Sequence, residues 1–279
     1  MGKQAILVTG ASTGIGHATT QLLARSGYAV FAGVRNESDA VRIASLHPNI
    51  TPLTLDVTKP ADIRTATALI RESGIPLYGL INNAGIAVAG PLEFLPIDDI
   101  RKQFEINVFA PIALAQAMLP MLREQRGRIA FIGSIAGRIS APFVGPYSAS
   151  KAGLASLVDA MRQELASFGV AVSLFEFAAV KTPIWAKGRS AKDELLGKLP
   201  PAAIAHYGTF IDAIVAQTER EERHGMEPRV VAEAILGALR SDHPRERYVI
   251  GKQAKLQAIV AMLPPSTRDR LIKKAMHLP

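Results

Sequence analysis

Ala5-Ile6-Leu7-Val8-Thr9-Gly10-Ala11-Ser12-Thr13-Gly14-Ile15-Gly16 runs from a short apolar stretch through a glycine-rich turn into a segment of helical period. A strand that hands over directly to a helix leaves the helix's first N–H groups unpaired, and the aligned peptide dipoles make that end positive. An anion such as a pyrophosphate fits there. Glycine is required because the backbone must turn tightly and come close to the bound group. The spacing is G-x-x-x-G-x-G rather than G-x-G-x-x-G. Glycine-rich turns are common, so the weight of this one depends on the residues downstream of it.

Outward from this turn, apolar runs alternate with helical stretches. Strands are expected at Ala5–Thr9, Ala29–Val34, Thr51–Leu55, Leu77–Ile81, Arg128–Gly133, Val170–Phe175 and Arg247–Ile250. Helices are expected near Gly14–Ser26, Ser38–Leu46, Pro60–Ser73, Ile97–Glu124 and Tyr147–Phe168. This rhythm predicts βαβ units: an α/β, Rossmann-like, doubly wound parallel sheet of about seven strands in a single domain, covered on both faces. The stretch 183–228 breaks the rhythm and carries Trp185, Tyr207 and Pro200-Pro201. It reads as a helical substrate lid, with a surface subdomain as the alternative.

The chain has 279 residues, 48% hydrophobic and 20% charged, with no cysteine. That composition excludes disordered and fibrous classes, disulfides, thiolate metal sites and cysteine nucleophiles. None of the six histidines forms a metal-ligand cluster, and His17 reads as exposed. The N-terminal apolar run is too short for a signal peptide, and no stretch is read as long and apolar enough to span a bilayer, so a cytoplasmic location is expected. A net charge of +8 raises nucleic acid as a partner, but the cations are dispersed and not interleaved with aromatics, so no nucleic acid is expected. The local exception is 252–279, with six Lys/Arg against Asp269 alone. Its apolar Leu256, Ile259, Val260 and Leu263 are expected to pack on the domain or at a subunit interface; a weak peripheral membrane contact is the alternative.

Two further features carry chemistry. The second strand ends in Gly33-Val34-Arg35-Asn36, with no acid before Glu37. An acid there would suit a ribose 2′-hydroxyl, whereas the fork of Arg35 suits a 2′-phosphate, with Ser12 and Asn36 as helpers. In Tyr147-Ser148-Ala149-Ser150-Lys151 the phenol and ammonium lie four apart and share a helix face. A cation beside a tyrosine lowers a pKa of about 10 toward the range where the phenol exchanges protons. Tyr248 and Lys252 share this spacing but begin in a strand, so Tyr248 reads as structural. Ser134 ends the fifth strand, thirteen residues before Tyr147. Asn107 lies four residues before Pro111, whose missing N–H would leave the Asn107 carbonyl free to hold a water.

Taken in order, the glycine turn, Asn82-Asn83-Ala84-Gly85, Asn107, Ser134, Tyr147 and Lys151 resemble the short-chain dehydrogenase/reductase family. Val34-Arg35-Asn36 and Val108-Phe109-Ala110-Pro111 are most similar to its 17β-hydroxysteroid and retinol dehydrogenase branch. The resemblance implies NADP(H) as cofactor, contacted by Gly10, Ser12, Thr13, Gly14, Ile15, Gly16, Arg35, Asn36, Asp56, Val57, Asn83, Ala84, Gly85, Val180 and Thr182. Asn107, Ser134, Tyr147 and Lys151 are implied as catalytic, with Tyr147 and Lys151 also touching the cofactor. It further implies a carbonyl or alcohol substrate, hydride transfer with Tyr147 as acid/base, and a homodimer or homotetramer; the apolar Ile184, Trp185, Leu195, Leu196, Leu199, Phe210 and Ile211 of 183–228 favour a small hydrophobic substrate over a sugar. One departure is plain: Phe177-Ala178 stands where the family has Pro-Gly. On that loop rests the rival reading of a catalytically weak NADPH-binding sensor or scaffold.

Overall fold

A computed structural model describes residues 3–182 and 201–276. Strands β1 (Ala5–Thr9), β2 (Ala29–Val34), β3 (Ile50–Thr54), β4 (Leu77–Asn82), β5 (Arg128–Ile132), β6 (Ala171–Phe177) and β7 (Arg247–Ile250) form one sheet. Their order is β3-β2-β1-β4-β5-β6-β7, and every neighbouring pair is parallel. Between them run α1 (Gly14–Arg25), α2 (Glu37–Ala44), α3 (Pro60–Glu72), α4 (Ile97–Phe104), α5 (Ala110–Glu124), α6 (Gly145–Leu165), α7 (Pro201–His224) and α8 (Pro228–Arg240). Two more helices, α9 (Lys252–Val260) and α10 (Pro265–Ala275), come after β7.

Side chains alternate across the sheet, so successive residues of one strand serve two cores. In β1, Ala5 and Leu7 join a cluster with Ile70 of α3, Leu114 and Met118 of α5, and Leu154 and Val158 of α6. Ile6 and Val8 point the other way, to Leu23 of α1, Ile43 of α2, and Val231 and Ile235 of α8. All five β1 residues are buried, which is why the central strand reads as a continuous apolar run. Helix α8 is an element that the sequence pattern alone did not bring out. Its signal was present in Val231, Ala232, Ile235, Ala238 and Leu239, all buried, with a proline in the first turn.

Four expectations need correction. The sixth strand continues past Phe175, so Phe177 is a strand residue, 8% exposed and paired with Ile250 of β7. The run 97–124 is not one α-helix: Glu105–Phe109 is π-helical, with Ala110 N–H bonded to the Glu105 carbonyl. That run is also long and apolar enough to cross a bilayer, contrary to the sequence expectation, but half of its most apolar window is buried inside the fold. His17 is half-buried rather than exposed, and burial together with Arg42 lowers its pKa.

Of the apolar stripe in 252–279, Val260 and Leu263 are partly buried but Leu256 and Ile259 face outward. Leu256 and Ile259 are 62% and 57% exposed, and Ala254 is the helix's buried residue. A small side chain lets α9 approach the sheet closely, so the face with the largest apolar residues is not the one that meets the protein. Ile184, Trp185, Leu195, Leu196 and Leu199, on which the expectation of a hydrophobic substrate leaned, lie outside the described residues. The described part of that stretch is the single helix α7, where Tyr207, Phe210 and Ile211 are partly buried.

Candidate active site

Strand order reverses between β1 and β4, and in sheets of this kind ligands bind beyond the carboxyl ends of the strands at that point. The glycine turn leaves β1 here. Gly10 and Gly14 have φ of 62° and 57°, conformations that favour glycine. A Cβ on Gly16 would lie 2.2 Å from the Gly10 carbonyl oxygen, so no other residue fits without moving the turn. Thr13 caps α1 with its backbone in an extended conformation but makes no side-chain cap bond, and no acid lies in the first turn. The opening of α1 is thus electropositive and uncapped, next to Ile15, which anchors the turn in the core.

The turn after β4 is fastened to it. Asn83 donates from its side-chain amide to the carbonyls of Thr9 (2.8 Å) and Gly10 (3.2 Å). The Thr9 hydroxyl accepts from the backbone N–H of Asn83 and Ala84. The Asn83 side chain is therefore spent on holding two turns together.

At the end of β2, Arg35 and Asn36 are exposed. Asn36 caps α2, accepting from Asp39 N–H (2.9 Å) and the Ser38 hydroxyl (2.8 Å). Asp56 comes just after β3. Its burial raises its pKa, but hydrogen bonds from Thr58 and the charges of Lys59 and Arg35 outweigh that and hold it below the usual range. Arg35 and Asp56 thus share one electrostatic neighbourhood, and Val57 beside them is buried. Sequence reasoning missed Arg42. Its guanidinium donates to the Ser12 carbonyl (2.9 Å) and pairs with Asp39, tying α2 to the glycine turn. The only signal for it was an arginine one helical face away from the turn, which spacing alone does not single out.

Ser134, Tyr147, Lys151 and Asn107 come together. Ser134 lies two residues past β5 and caps the short 3-10 turn Ile135–Gly137, accepting from Ala136 N–H (3.1 Å). Tyr147 stands in the first turn of α6, hydrogen-bonded to Ser134. One turn on, the Lys151 ammonium lies 5.8 Å from the centre of the Tyr147 ring and donates to the Ile132 carbonyl (2.8 Å). A Cβ built on Gly85 would sit 3.3 Å from Asn107 Oδ1 and 3.8 Å from Lys151 Nζ, so all three meet at one point.

The electrostatics differ from the sequence expectation in one respect. Burial pushes the Tyr147 phenol up, and the Ser134 hydrogen bond only partly opposes it. Burial pulls the Lys151 ammonium down to about 8. The dominant effect on both groups is loss of water rather than mutual attraction. For Asn107, the π-helical register means that counting four residues back from Pro111 does not identify the deprived carbonyl. The Asn107 side chain is a strut: it accepts from Ile86 N–H and donates to the Ile86 carbonyl and the Ser150 hydroxyl (2.9, 2.9 and 3.0 Å).

Further along, Val180 is buried and bridges to Met226, while Thr182 is the last described residue of its loop and partly buried. Four residues before Tyr147, Phe143 forms an aromatic group with Tyr207 and Phe210 of α7, with centroids 5.8 Å apart for Phe143–Tyr207 and 6.2 Å for Phe143–Phe210. Phe143 has a φ of 69°, which is unfavourable for a bulky residue, and its carbonyl accepts from Gly90 N–H (2.7 Å). Tyr248 is structural, as its strand position implied, and stacks on Phe175 at 4.7 Å. Among the described residues no group of three or more His, Asp or Glu is placed to hold a metal.

The chain matches the family model for short chain dehydrogenases over residues 4–193. It is 35% identical over 258 residues to 3-amino-tetrahydro-pyrrolizinone reductase of Xenorhabdus hominickii, covering 91% of this chain and 89% of that protein. It is 32% identical to NADPH-dependent 3-dehydrocapnine reductase of Ornithobacterium rhinotracheale, covering 96% and 95%, and 34% identical to retinol dehydrogenase 5 of Mus musculus, covering 94% and 85%. A short-chain dehydrogenase structure from Streptomyces avermitilis superposes with a TM-score of 0.79 at 25% identity, covering 99% of this chain and 97% of that one. A glycine turn at the switch point, a partly buried Ser134-Tyr147 pair with the buried Lys151 beside it and these matches have one explanation: the chain belongs to the short-chain dehydrogenase family.

Proposed function

We propose that this protein is an NADP(H)-dependent oxidoreductase interconverting a hydrophobic ketone and its secondary alcohol. The observation that carries the reading is the convergence of Ser134, Tyr147 and Lys151 beyond the carboxyl ends of β4 and β5. A dinucleotide fits the residues present. Gly16 packs flush on the Gly10 carbonyl and the Asn83 amide, which holds the turn tight, and the start of α1, with no side-chain cap, offers N–H groups to a pyrophosphate. Arg35, exposed and without an acid on either side of it before Glu37, offers a fork to a 2′-phosphate, with Ser12, Arg42 and Asn36 around it. Asp56 and Val57 line the adenine side. Ala84 and Gly85 border the ribose, and Val180 and Thr182 the nicotinamide. A relative whose name carries NADPH dependence supports the same choice.

When bound, the nicotinamide supplies or takes up the hydride. The protein's own work is proton handling. In the reductive direction Tyr147 gives its phenolic proton to the carbonyl oxygen, and the Ser134 hydroxyl donates a hydrogen bond to the same oxygen. The phenolate left behind is costly in this buried place, since burial already raises the phenol's pKa. Lys151 offsets that cost with its charge, and because its own pKa is about 8 it can release a proton at working pH. Asn107 keeps Gly85 and Ile86 in register with α6 and so keeps Lys151 in place. The aromatic group of Phe143, Tyr207 and Phe210 favours an apolar substrate over a sugar.

The test is a panel of steroid, retinoid and small aromatic ketones with NADPH and with NADH, followed through nicotinamide absorbance. Reduction of apolar ketones, faster with NADPH, is expected. Absence of turnover across the panel in protein that binds NADPH would sink the enzymatic reading and favour a sensor or scaffold.

A further inference from the structure

Glu176 is a carboxylate at 1% exposure, next to the catalytic end of the sheet. By strand alternation it continues the row Val172, Leu174 on the α6 side of β6, where an apolar residue would be expected. The charge is held from two directions. Arg138 grips both carboxylate oxygens, Nε donating at 2.8 Å to Oε1 and Nη2 donating to Oε2. Arg247 of β7 reaches Oε1 at 3.4 Å and also pairs with Asp159 of α6. Two carboxylates thus face two guanidiniums, and both fork bonds of Arg138 are committed to one partner.

Arg138 caps the 3-10 turn that begins after Ser134. That turn is fixed at two other places. Ser134 caps it at one end. Gly137 lies flush on α6, where a Cβ would stand 2.9 Å from the Lys151 backbone carbon. The bidentate grip on Glu176 is the third attachment, and it ties the loop that carries Ser134 to the end of strand β6, one residue before Phe177.

We propose that the Arg138–Glu176 pair positions the Ser134 loop for catalysis, setting the approach of the Ser134 hydroxyl to Tyr147 and the substrate oxygen. This rests on the proton-handling roles proposed for Ser134 and Tyr147. Arg138 and Glu176 act through Ser134 and touch no reacting atom. A loop freed from its carboxylate moves by fractions of an ångström, and misplacement of about 1 Å at a reacting centre can cost up to a hundredfold in rate.

The experiment compares Arg138→Met, Arg138→Lys and Glu176→Gln with the wild-type full chain, using a ketone that the wild type reduces. Measured are kcat, the NADPH Kd, the melting temperature and the primary isotope effect with NADPH deuterated at the transferred position. The expected result is a kcat lowered by roughly tenfold or more in Arg138→Met, with a larger isotope effect and an NADPH Kd within about threefold of wild type. Arg138→Lys keeps the charge without the fork, so it folds and still loses about threefold or more in kcat. A purely structural pair would lower the melting temperature and leave both kcat and isotope effect at wild-type values in folded protein; that outcome, in Arg138→Lys alone if the others do not fold, overturns the proposal. Tyr147→Phe serves as the control. If it retains activity the underlying reading fails, whereas an inactive Tyr147→Phe beside a fully active Arg138→Lys defeats this inference only.

Discussion

Replacing Lys151 by methionine should make the ligand-free protein more stable while destroying its activity. Lys151 is 7% exposed, and its pKa falls from 10.5 to about 8 because burial penalises the ammonium. A depression of that size corresponds to roughly 3 kcal/mol carried by the folded state at neutral pH. Methionine matches the length of the stem, removes the charge and forfeits the bond to the Ile132 carbonyl, worth about 1 kcal/mol. The net gain is about 2 kcal/mol, or a melting temperature higher by roughly 4 °C for a chain of this size. Proton counting fixes the sign of the pH dependence. Below pH 8 both folded and unfolded chains hold the proton, and the whole penalty is present. Between 8 and 10.5 the unfolded chain holds more protons than the folded one, so wild-type stability rises with pH and the variant's advantage shrinks. The assay is urea or thermal unfolding of both proteins at pH 7 and pH 9.5 without cofactor. A variant less stable than wild type at pH 7, or an advantage that grows toward pH 9.5, would refute the reasoning.

Arg35→Ala should reduce a preference for NADPH over NADH by about tenfold to a hundredfold, since a charge-assisted bond to the 2′-phosphate is lost; unchanged kcat/KM ratios for the two cofactors would reject that role. Restoring the family's Pro-Gly through Phe177→Pro with Ala178→Gly should cost about 3 kcal/mol of stability, because Phe177 is a buried strand side chain in the core rather than a loop residue. Denaturant unfolding checks this, and an unchanged midpoint would show that the core there closes over the gap.

Much of the sheet was legible because parallel strands buried on both faces must be apolar along their whole length, as Ala5–Thr9 and Ala29–Val34 are. The meeting of Tyr147 and Lys151 was legible because i, i+4 spacing in α6 puts them on one face whatever the rest of the chain does. What spacing does not encode is which face of an element meets the protein. Leu256 and Ile259 form a stripe by count yet point outward, since the small Ala254 sets the approach of α9. Nor does it encode register faults: Glu105–Phe109 is π-helical, with Ala110 N–H reaching back to the Glu105 carbonyl, where spacing alone reads a continuous α-helix. Pairs distant in sequence escaped altogether. Arg42 with Ser12, and Arg138 with Glu176, are ordinary surface-type charges until the fold brings them together. The direction of the Tyr147 pKa escaped for a similar reason, because burial of the phenol outweighs the hydrogen bond from Ser134, which is distant in sequence.

If Tyr147 moves the proton and does little else, as proposed above, Tyr147→Phe separates turnover from cofactor binding. The substitution removes one oxygen from a side chain whose ring remains in place against Lys151. NADPH affinity, read by fluorescence titration, and turnover of a ketone, read by nicotinamide absorbance, are measured on the same preparation. The expected result is an NADPH Kd within about threefold of wild type and a kcat lowered by at least about a hundredfold, the contribution of a positioned general acid. Retention of more than a few per cent of wild-type kcat would contradict it, since another group would then have to supply the proton.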